Sequence, residues 1–117
     1  MKTRNFLSLD LGAESGRAIL GRIDGEQLEL KEIHRFSNHP VRVGERYYWN
    51  PLSLFSEMRN GLTIAETSHN ICLDAAGIDT WGVDFALLDR NDALLDNPRN
   101  YRDPRTSGFP QKAFDEV

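Results

Sequence analysis

The chain has 117 residues, enough for one domain that buries roughly two-thirds of the surface its unfolded form would expose. Its 14 basic and 18 acidic residues give a net charge of −4 and form no basic stripe interleaved with aromatic residues, which argues against nucleic acid as a partner. Because Cys72 is the one cysteine, no intrachain disulfide can form, which favours a reducing, cytoplasmic setting. We expect Cys72 to be a small apolar residue that fills space in the core. No apolar run is long enough for the hydrophobic region of a signal peptide or for a membrane span.

The first predicted element is a strand over residues 7–11 that ends in a turn of small residues. Its leucines alternate to one side of the pleat, so Asp10 points to the other side and meets solvent, metal or ligand at the strand's end. Gly12 and Gly16 allow backbone angles closed to other residues, so several amides can converge on one anion, and the Ser15 hydroxyl adds a donor. A triphosphate with Mg²⁺ would suit this arrangement.

The same residues have a second interpretation, an ordinary hairpin in which Asp10 and Arg17 form a solvated pair of little energetic consequence. The residues alone leave both interpretations open. A dinucleotide-binding fingerprint fits poorly, because residues 18–23 are typical of a strand and not of the helix that such a motif requires.

A third strand is predicted over residues 27–36, completing an antiparallel meander. Leu28 and Leu30 fall on one of its faces and Ile33 on the other, which indicates a bulge or a strand that is apolar on both faces. Residues 37–49 are predicted to form a polar loop that ends in an aromatic cluster.

Asn50 and Pro51 predict a helix start, because Asn50 can cap free amides and proline has none to lose at the first helical position. Helical spacing predicts a buried stripe, and Gly61 is expected to weaken the helix modestly. The stripe consists of Phe55, Met58, Leu62 and Ala65.

An apolar stretch over residues 75–89 is too strand-like to be another helix. A strand reached through a helix after a meander is most simply parallel to the first strand. The sequence therefore predicts an α/β fold with a mixed sheet covered by helices.

Residues 77–85 combine carboxylates, a hydroxyl, an indole and glycines within nine positions. Gly82 permits close approach of a ligand to the backbone, Trp81 offers a flat face for a sugar, and Asp84 offers acceptors for hydroxyls. The alternative is a bulged strand with Trp81 in the core and aspartates that cap turns.

The charged loop over residues 101–106 is predicted to hold a weak salt bridge or to place Arg102 and Asp103 on the rim of the same cleft. A short helix is predicted from Pro110, and its end after about two turns suggests a piece of a longer protein. The three histidines and Cys72 lack the spacing of a zinc site.

Taken together, these motifs resemble the N-terminal part of the rhamnulokinases, a group of FGGY carbohydrate kinases in the actin-like ATPase superfamily. The resemblance rests on Asp-Leu-Gly-Ala and Ser-Gly-Arg within residues 10–17, on Gly-Ile-Asp-Thr-Trp-Gly-Val-Asp-Phe at 77–85, and on segments 34–36, 48–50, 87–89 and 101–106. It implies a ribonuclease H-like domain, with residues 1–117 as a truncated N-terminal sugar-kinase domain and the catalytic aspartate lying beyond it.

The resemblance also implies a reaction, the transfer of the γ-phosphoryl group of ATP to L-rhamnulose with Mg²⁺. It assigns nucleotide-phosphate contacts to Ala13, Glu14, Ser15, Gly16 and Arg17. Within this group Glu14 departs from the family, which usually places a small hydroxyl residue there, and a carboxylate near phosphates lowers affinity unless it faces away or meets a cation.

The remaining implied contacts are with the metal and the sugar. Asp10 would contact the phosphates and hold the metal through water, while Gly82, with Trp81 and Asp84, would contact the sugar. Two alternatives remain from other classes of protein. One is a silent phosphate- or sugar-binding module, and the other is a structural domain that associates with itself through exposed sheet surface.

Overall fold

The computed structural model describes residues 2–117, which form two compact units. The sheet unit comprises residues 2–39 and 51–82, and the loop unit comprises residues 40–50 and 83–117. In chain order the elements are β1 Arg4–Leu11, β2 Ser15–Asp24, β3 Gln27–Ser37, β4 Val41–Val43, β5 Arg46–Tyr48, α1 Pro51–Thr67, β6 Ala75–Thr80, a 3₁₀ turn Pro104–Thr106 and α2 Phe109–Glu116.

The sheet unit confirms the predicted mixed sheet. Its strand order is β3-β2-β1-β6, in which β1, β2 and β3 form an antiparallel meander and β6 runs parallel to β1. Helix α1 makes the crossover between β3 and β6, as a parallel connection requires. The predicted bulge is present in β3, where the register shifts across Ile33. This shift explains why the apolar residues of β3 change face along the strand.

Helix α1 begins at Pro51 as predicted, but only part of the predicted stripe packs against the sheet. Gly61 and Ala65 are buried and Met58 packs against the core, whereas Phe55 and Leu62 remain 58% and 38% exposed. The prediction that Phe55 and Leu62 face the sheet is therefore wrong. The packed stripe keeps Met58 and Ala65 from the prediction and is centred on Gly61, which lets the helix approach the sheet closely.

Gly61 is the reason for this close approach. A Cβ at this position would lie 2.8 Å from the Cβ of Ala18 and 3.3 Å from Cδ2 of Leu9, so the helix rests directly on β1 and β2. The core beneath it consists of Leu7, Leu9, Ala18 and Ala65. Beside this contact, Glu57 of α1 bonds His34 of β3, with 2.5 Å between the carboxylate oxygen and Nε2. The sequence analysis expected Gly61 to weaken the helix, whereas in the structure its missing side chain allows α1 to approach the sheet closely.

The loop unit contains a hairpin that the sequence analysis missed. Strands β4 and β5 pair antiparallel within the predicted polar loop, around Gly44 at φ +61°. The Trp49 amide donates to the carbonyl of Pro98, and the Asn100 amide donates to that of Tyr47. These bonds tie the two stretches of the unit together.

Three smaller predictions can be compared with the structure. Strand β6 ends at Thr80, so residues 81–89 are not strand, and only an isolated bridge joins Leu88 to Leu94. Helix α2 follows Gly108, close to the predicted start at Pro110. Cys72 is exposed and is not the apolar filler that was expected. Within residues 2–117, no helix combines the length and apolarity needed to cross a bilayer.

Candidate functional site

The turn between β1 and β2 is a compact structure closed by backbone hydrogen bonds. The Gly12 amide donates to the Ser15 carbonyl at 3.0 Å. Asn38, which follows β3, donates from its own amide to the Glu14 carbonyl at 2.9 Å and from Nδ2 to the Gly12 carbonyl at 2.8 Å. Because Asn38 is 4% exposed, this clamp is shielded from water. The sequence analysis missed Asn38, and only the pairing of Ser15 with Ser37 brings it to the turn.

The two glycines of this turn serve a different purpose from the one predicted. Neither Gly12 nor Gly16 has a positive φ. A Cβ at Gly12 would lie 2.5 Å from the Ser15 carbonyl oxygen, and one at Gly16 would lie 2.1 Å from the buried Phe36 ring. The glycines therefore allow close packing, and the prediction that they adopt backbone angles closed to other residues is wrong.

Asp10 and Arg17 are cross-strand neighbours, and their side chains form an ion pair of 2.7 Å from Nη2 to Oδ2. The exposed fractions of the two side chains are 30% and 37%, so both remain in contact with solvent. Asp10 points away from the buried Leu9 and Leu11, as the alternation predicts. The pair itself matches the plainer of the two interpretations of this hairpin, although a ligand can still reach both groups.

Arg17 has hydrogen-bonding capacity that the rest of the chain does not use. Its Nε is buried and has no partner among residues 2–117. Nearby, no hydrogen bond within the described residues uses the Ala13 amide, and the Glu14 side chain is exposed. A guanidinium with an unused donor beside a turn amide is chemically suited to oxygens of a phosphate, and the Asp10 carboxylate is a hard oxygen ligand suited to Mg²⁺.

The register of the sheet adds a residue that the sequence analysis did not connect with this site. Asp79 of β6 is the direct partner of Asp10 across the parallel pair, so both carboxylates stand on the same face of the sheet. Asp79 Oδ1 accepts from the Thr80 amide at 3.0 Å. The two aspartates are 69 positions apart in the sequence, so no local pattern could have placed them together.

The structure places the predicted sugar-contacting residues directly after β6. In the sheet unit, Trp81 is half-buried, and Gly82 is exposed with open space around the position that a Cβ would occupy. In the loop unit, Val83 has φ +70°, which is unusual for a β-branched residue. Asp84 accepts from the Trp49 indole Nε1 at 2.6 Å, so the carboxylate has a structural partner that the sequence did not suggest.

Asp103 is buried within the loop unit, so the expectation that it lies on the rim of a cleft is wrong, while the same expectation for Arg102 stays a prediction. Its oxygens accept from the amides of Tyr47 at 2.8 Å and Arg105 at 3.0 Å, and Arg46 and Arg105 approach to 3.5 and 3.6 Å. The pKa of Asp103 is held below its usual value, chiefly by the hydrogen bond from the Tyr47 amide. Burial raises this pKa, but the Arg105 amide and the two guanidinium groups lower it further. Through these contacts, Asp103 links β5 to the 3₁₀ turn within the loop unit.

Comparison with known proteins confirms the predicted resemblance. The chain is 44% identical to a rhamnulokinase of Bacteroides thetaiotaomicron, and this match covers 97% of the present chain. It is 44% identical to a rhamnulokinase of an Enterobacter species over 100% of the present chain, and 38% identical to one of Oceanobacillus iheyensis over 95% of it. It spans only 23% to 24% of the length of these curated relatives. No family model matches the chain.

Solved structures of sugar kinases share the fold, and this likeness confirms the predicted actin-like ATPase architecture. A glycerol kinase of Plasmodium falciparum, solved with ADP, superposes with a TM-score of 0.76 at 15% identity, covering 98% of this chain and 24% of the kinase. A xylulose kinase of Rhodospirillum rubrum gives a TM-score of 0.74 at 18% identity, covering 97% of this chain and 24% of the kinase. At these identities the likeness establishes the fold.

Proposed function

Because this chain is a sequence relative of the rhamnulokinases and has the fold of the sugar kinases, we propose that it forms part of a kinase that transfers the γ-phosphoryl group of ATP to a hydroxyl of L-rhamnulose. Residues 1–117 would then be the N-terminal part of the first domain, working with further chain such as the longer relatives possess. The observation that carries the proposal is the solvent-accessible pair of Asp10 and Arg17 at the base of the hairpin turn.

In this proposal the hairpin binds the nucleotide phosphates. Arg17 turns its unused donor and its Nη groups to phosphate oxygens, joined by the Ala13 amide and the Ser15 hydroxyl. Gly16 packs the strand closely against the Phe36 ring on the face opposite Arg17. The exposed Glu14 side chain can point away from the phosphates, which removes the repulsion that this carboxylate would otherwise cause.

Asp10 has the role of holding the cation that accompanies the nucleotide. A carboxylate at the end of a strand is suited to bind Mg²⁺ through a water molecule, since this ion usually retains several of its waters. When bound, Mg²⁺ supplies positive charge that neutralises the triphosphate. For Asp10 to bind the cation, Arg17 must share or release the Asp10 carboxylate. Until then, the ion pair keeps both side chains near the positions in which they would bind the cation and the phosphates.

The sugar is proposed to bind at the turn after β6. The Trp81 indole offers a flat face to the C–H surface of a sugar, and the open backbone of Gly82 allows a hydroxyl to approach. Asp84, which the Trp49 indole holds in place, offers acceptors for hydroxyls. The base that activates the sugar hydroxyl is proposed to lie in the longer protein, as is the adenine pocket.

Calorimetric titration with ATP and Mg²⁺ tests the phosphate site. We expect weak saturable binding that Arg17→Gln reduces at least about tenfold, because the charged donors to phosphate are lost, a change of about 1.4 kcal/mol. Arg22→Gln is the matched control, since Arg22 is an exposed arginine at the far end of the same strand. Equal affinity in the two variants would contradict the proposal.

A separate titration with L-rhamnulose distinguishes a kinase part from a silent module. Responses to both ligands support the kinase proposal, whereas saturable sugar binding without any nucleotide response favours the module. We expect no rhamnulose-dependent ATP turnover by residues 1–117 alone, because phosphoryl transfer requires both reactants to be positioned and their charge neutralised. The single free thiol, Cys72, is consistent with a reducing compartment, and we propose the cytoplasm.

A further inference from the structure

One buried residue from outside the β1–β2 hairpin holds the turn of the proposed phosphate site. Asn38, directly after β3, donates from its backbone amide to the Glu14 carbonyl at 2.9 Å and from Nδ2 to the Gly12 carbonyl at 2.8 Å. The pairing of Ser15 with Ser37 brings Asn38 to the turn, and only 4% of Asn38 is exposed. Because burial shields both bonds from competing water, the two carbonyls are held in fixed directions.

Fixing a carbonyl also fixes the amide at the other end of the same peptide bond. The peptide units of this turn are planar and trans, so the C=O and the N–H of each unit point in opposite directions. The Gly12 carbonyl shares its peptide unit with the Ala13 amide. In the same way, the Glu14 carbonyl shares its unit with the Ser15 amide. Asn38 therefore turns the amides of Ala13 and Ser15 away from itself.

The same arrangement leaves donors, and few acceptors, available at the turn. The Ser15 carbonyl accepts from the Gly12 amide at 3.0 Å, so the carbonyls of Gly12, Glu14 and Ser15 all accept hydrogen bonds already. Among residues 2–117, the amides of Ala13 and Ser15 make no hydrogen bond within the turn. Backbone amides that a partly exposed turn does not use for itself are suited to anionic oxygens.

We propose that Asn38 is a positioning residue for nucleotide binding, which aims the amides of Ala13 and Ser15 at phosphate oxygens without contacting the ligand itself. This inference rests on the proposed function, since the phosphates are those that the hairpin is proposed to bind. Amides whose directions are set before the ligand arrives need no ordering on binding, and this preorganisation raises affinity. In a turn without the clamp, part of the binding energy would be lost in ordering the backbone.

Calorimetric titration of the chain with Mg²⁺ and tripolyphosphate tests the inference. Tripolyphosphate carries the phosphates of the nucleotide but needs no adenine pocket. Asn38→Leu keeps the backbone amide and a similar side-chain size but lacks Nδ2, so we expect affinity to fall about fivefold. Asn100→Leu is the matched control, because Asn100 is also a buried asparagine and lies in the loop unit. This control should leave affinity within about twofold of the unaltered chain, since the two sites are independent.

Amide signals followed by nuclear magnetic resonance separate positioning from a general loss of stability. Only the Gly12 carbonyl loses its donor in Asn38→Leu, because the backbone amide of residue 38 still holds the Glu14 carbonyl. On addition of tripolyphosphate, we therefore expect the Ala13 signal to shift much less than it does in the unaltered chain, while the Ser15 signal keeps most of its shift. A change of stability alone would affect both signals alike.

Asn38→Ala removes the same donor without filling the space, and it should give the same result if circular dichroism shows that the leucine variant does not fold. Equal affinity for tripolyphosphate in the unaltered chain and in these variants would overturn the inference and leave the proposed function standing. Equal losses in Asn38→Leu and Asn100→Leu, or equal changes at Ala13 and Ser15, would overturn it as well. No binding by the unaltered chain would reject the proposed phosphate site and, with it, the inference.

Discussion

Arg17 and Asp10 face each other across the β1–β2 hairpin with 2.7 Å between Nη2 and Oδ2, and both side chains remain about one-third exposed. Exposed ion pairs contribute little to folding, so we expect Asp10→Asn to change the free energy of unfolding by less than about 1 kcal/mol. Leu9→Ala, next to it in the core, should cost about 2 to 5 kcal/mol. Urea unfolding measures both. A loss of several kcal/mol from Asp10→Asn would assign Asp10 a structural role.

Gly61→Ala should destabilise the chain even though alanine favours helices. The new methyl group would lie 2.8 Å from the Cβ of Ala18, and overpacking of this kind costs about 1 to 3 kcal/mol, against a gain of about 1 kcal/mol in helix propensity. Gly77→Ala is the matched control, because a Cβ at Gly77 would have open space around it. Thermal unfolding compares the two, and an increase in Tm for Gly61→Ala would contradict the packing described above.

Asp103 should make stability fall as the pH is lowered. Its pKa is depressed in the folded chain, so its contribution is fully present above the unfolded value of about 3.9 and disappears as pH drops through the folded pKa. We expect Asp103→Asn to be less stable at neutral pH and to differ less from the unaltered chain as acid is added. Asp96→Asn, at an exposed carboxylate of the same unit, is the control. Parallel pH profiles for Asp103→Asn and the unaltered chain would refute this role.

Val83→Gly should not destabilise the chain, although a valine-to-glycine substitution in an ordinary strand lowers stability. Val83 has φ +70° and is 84% exposed, so glycine relieves a backbone penalty of about 1 to 2 kcal/mol without losing packing. Against this, the greater unfolded-state entropy of glycine costs about 0.5 to 1 kcal/mol, which leaves stability unchanged or higher by up to about 1.5 kcal/mol. Val43→Gly, in β4, should lower stability when measured by the same urea titration. Equal losses in both variants would show that Val83 is not strained.

The sequence by itself determined the local elements of the chain. Alternating leucines predicted β1 and the outward direction of Asp10, Asn50 with Pro51 predicted the start of α1, and the changed parity along β3 predicted its bulge. Each of these depends on residues that are close in the chain, because strand alternation, helix capping and proline geometry act over a few positions. The motifs at residues 10–17 and 77–85 pointed to the sugar kinases in the same way.

Tertiary structure decided which distant residues meet. The placement of Asp79 beside Asp10, the Asn38 clamp on the turn, and the burial of Asp103 all depend on strand register or on contacts between segments far apart in the sequence. The choice of Gly61 over Phe55 at the helix–sheet contact likewise follows from how closely two surfaces approach. Local propensity carries no information about such distances, since they are set by packing of the whole sheet against the helix.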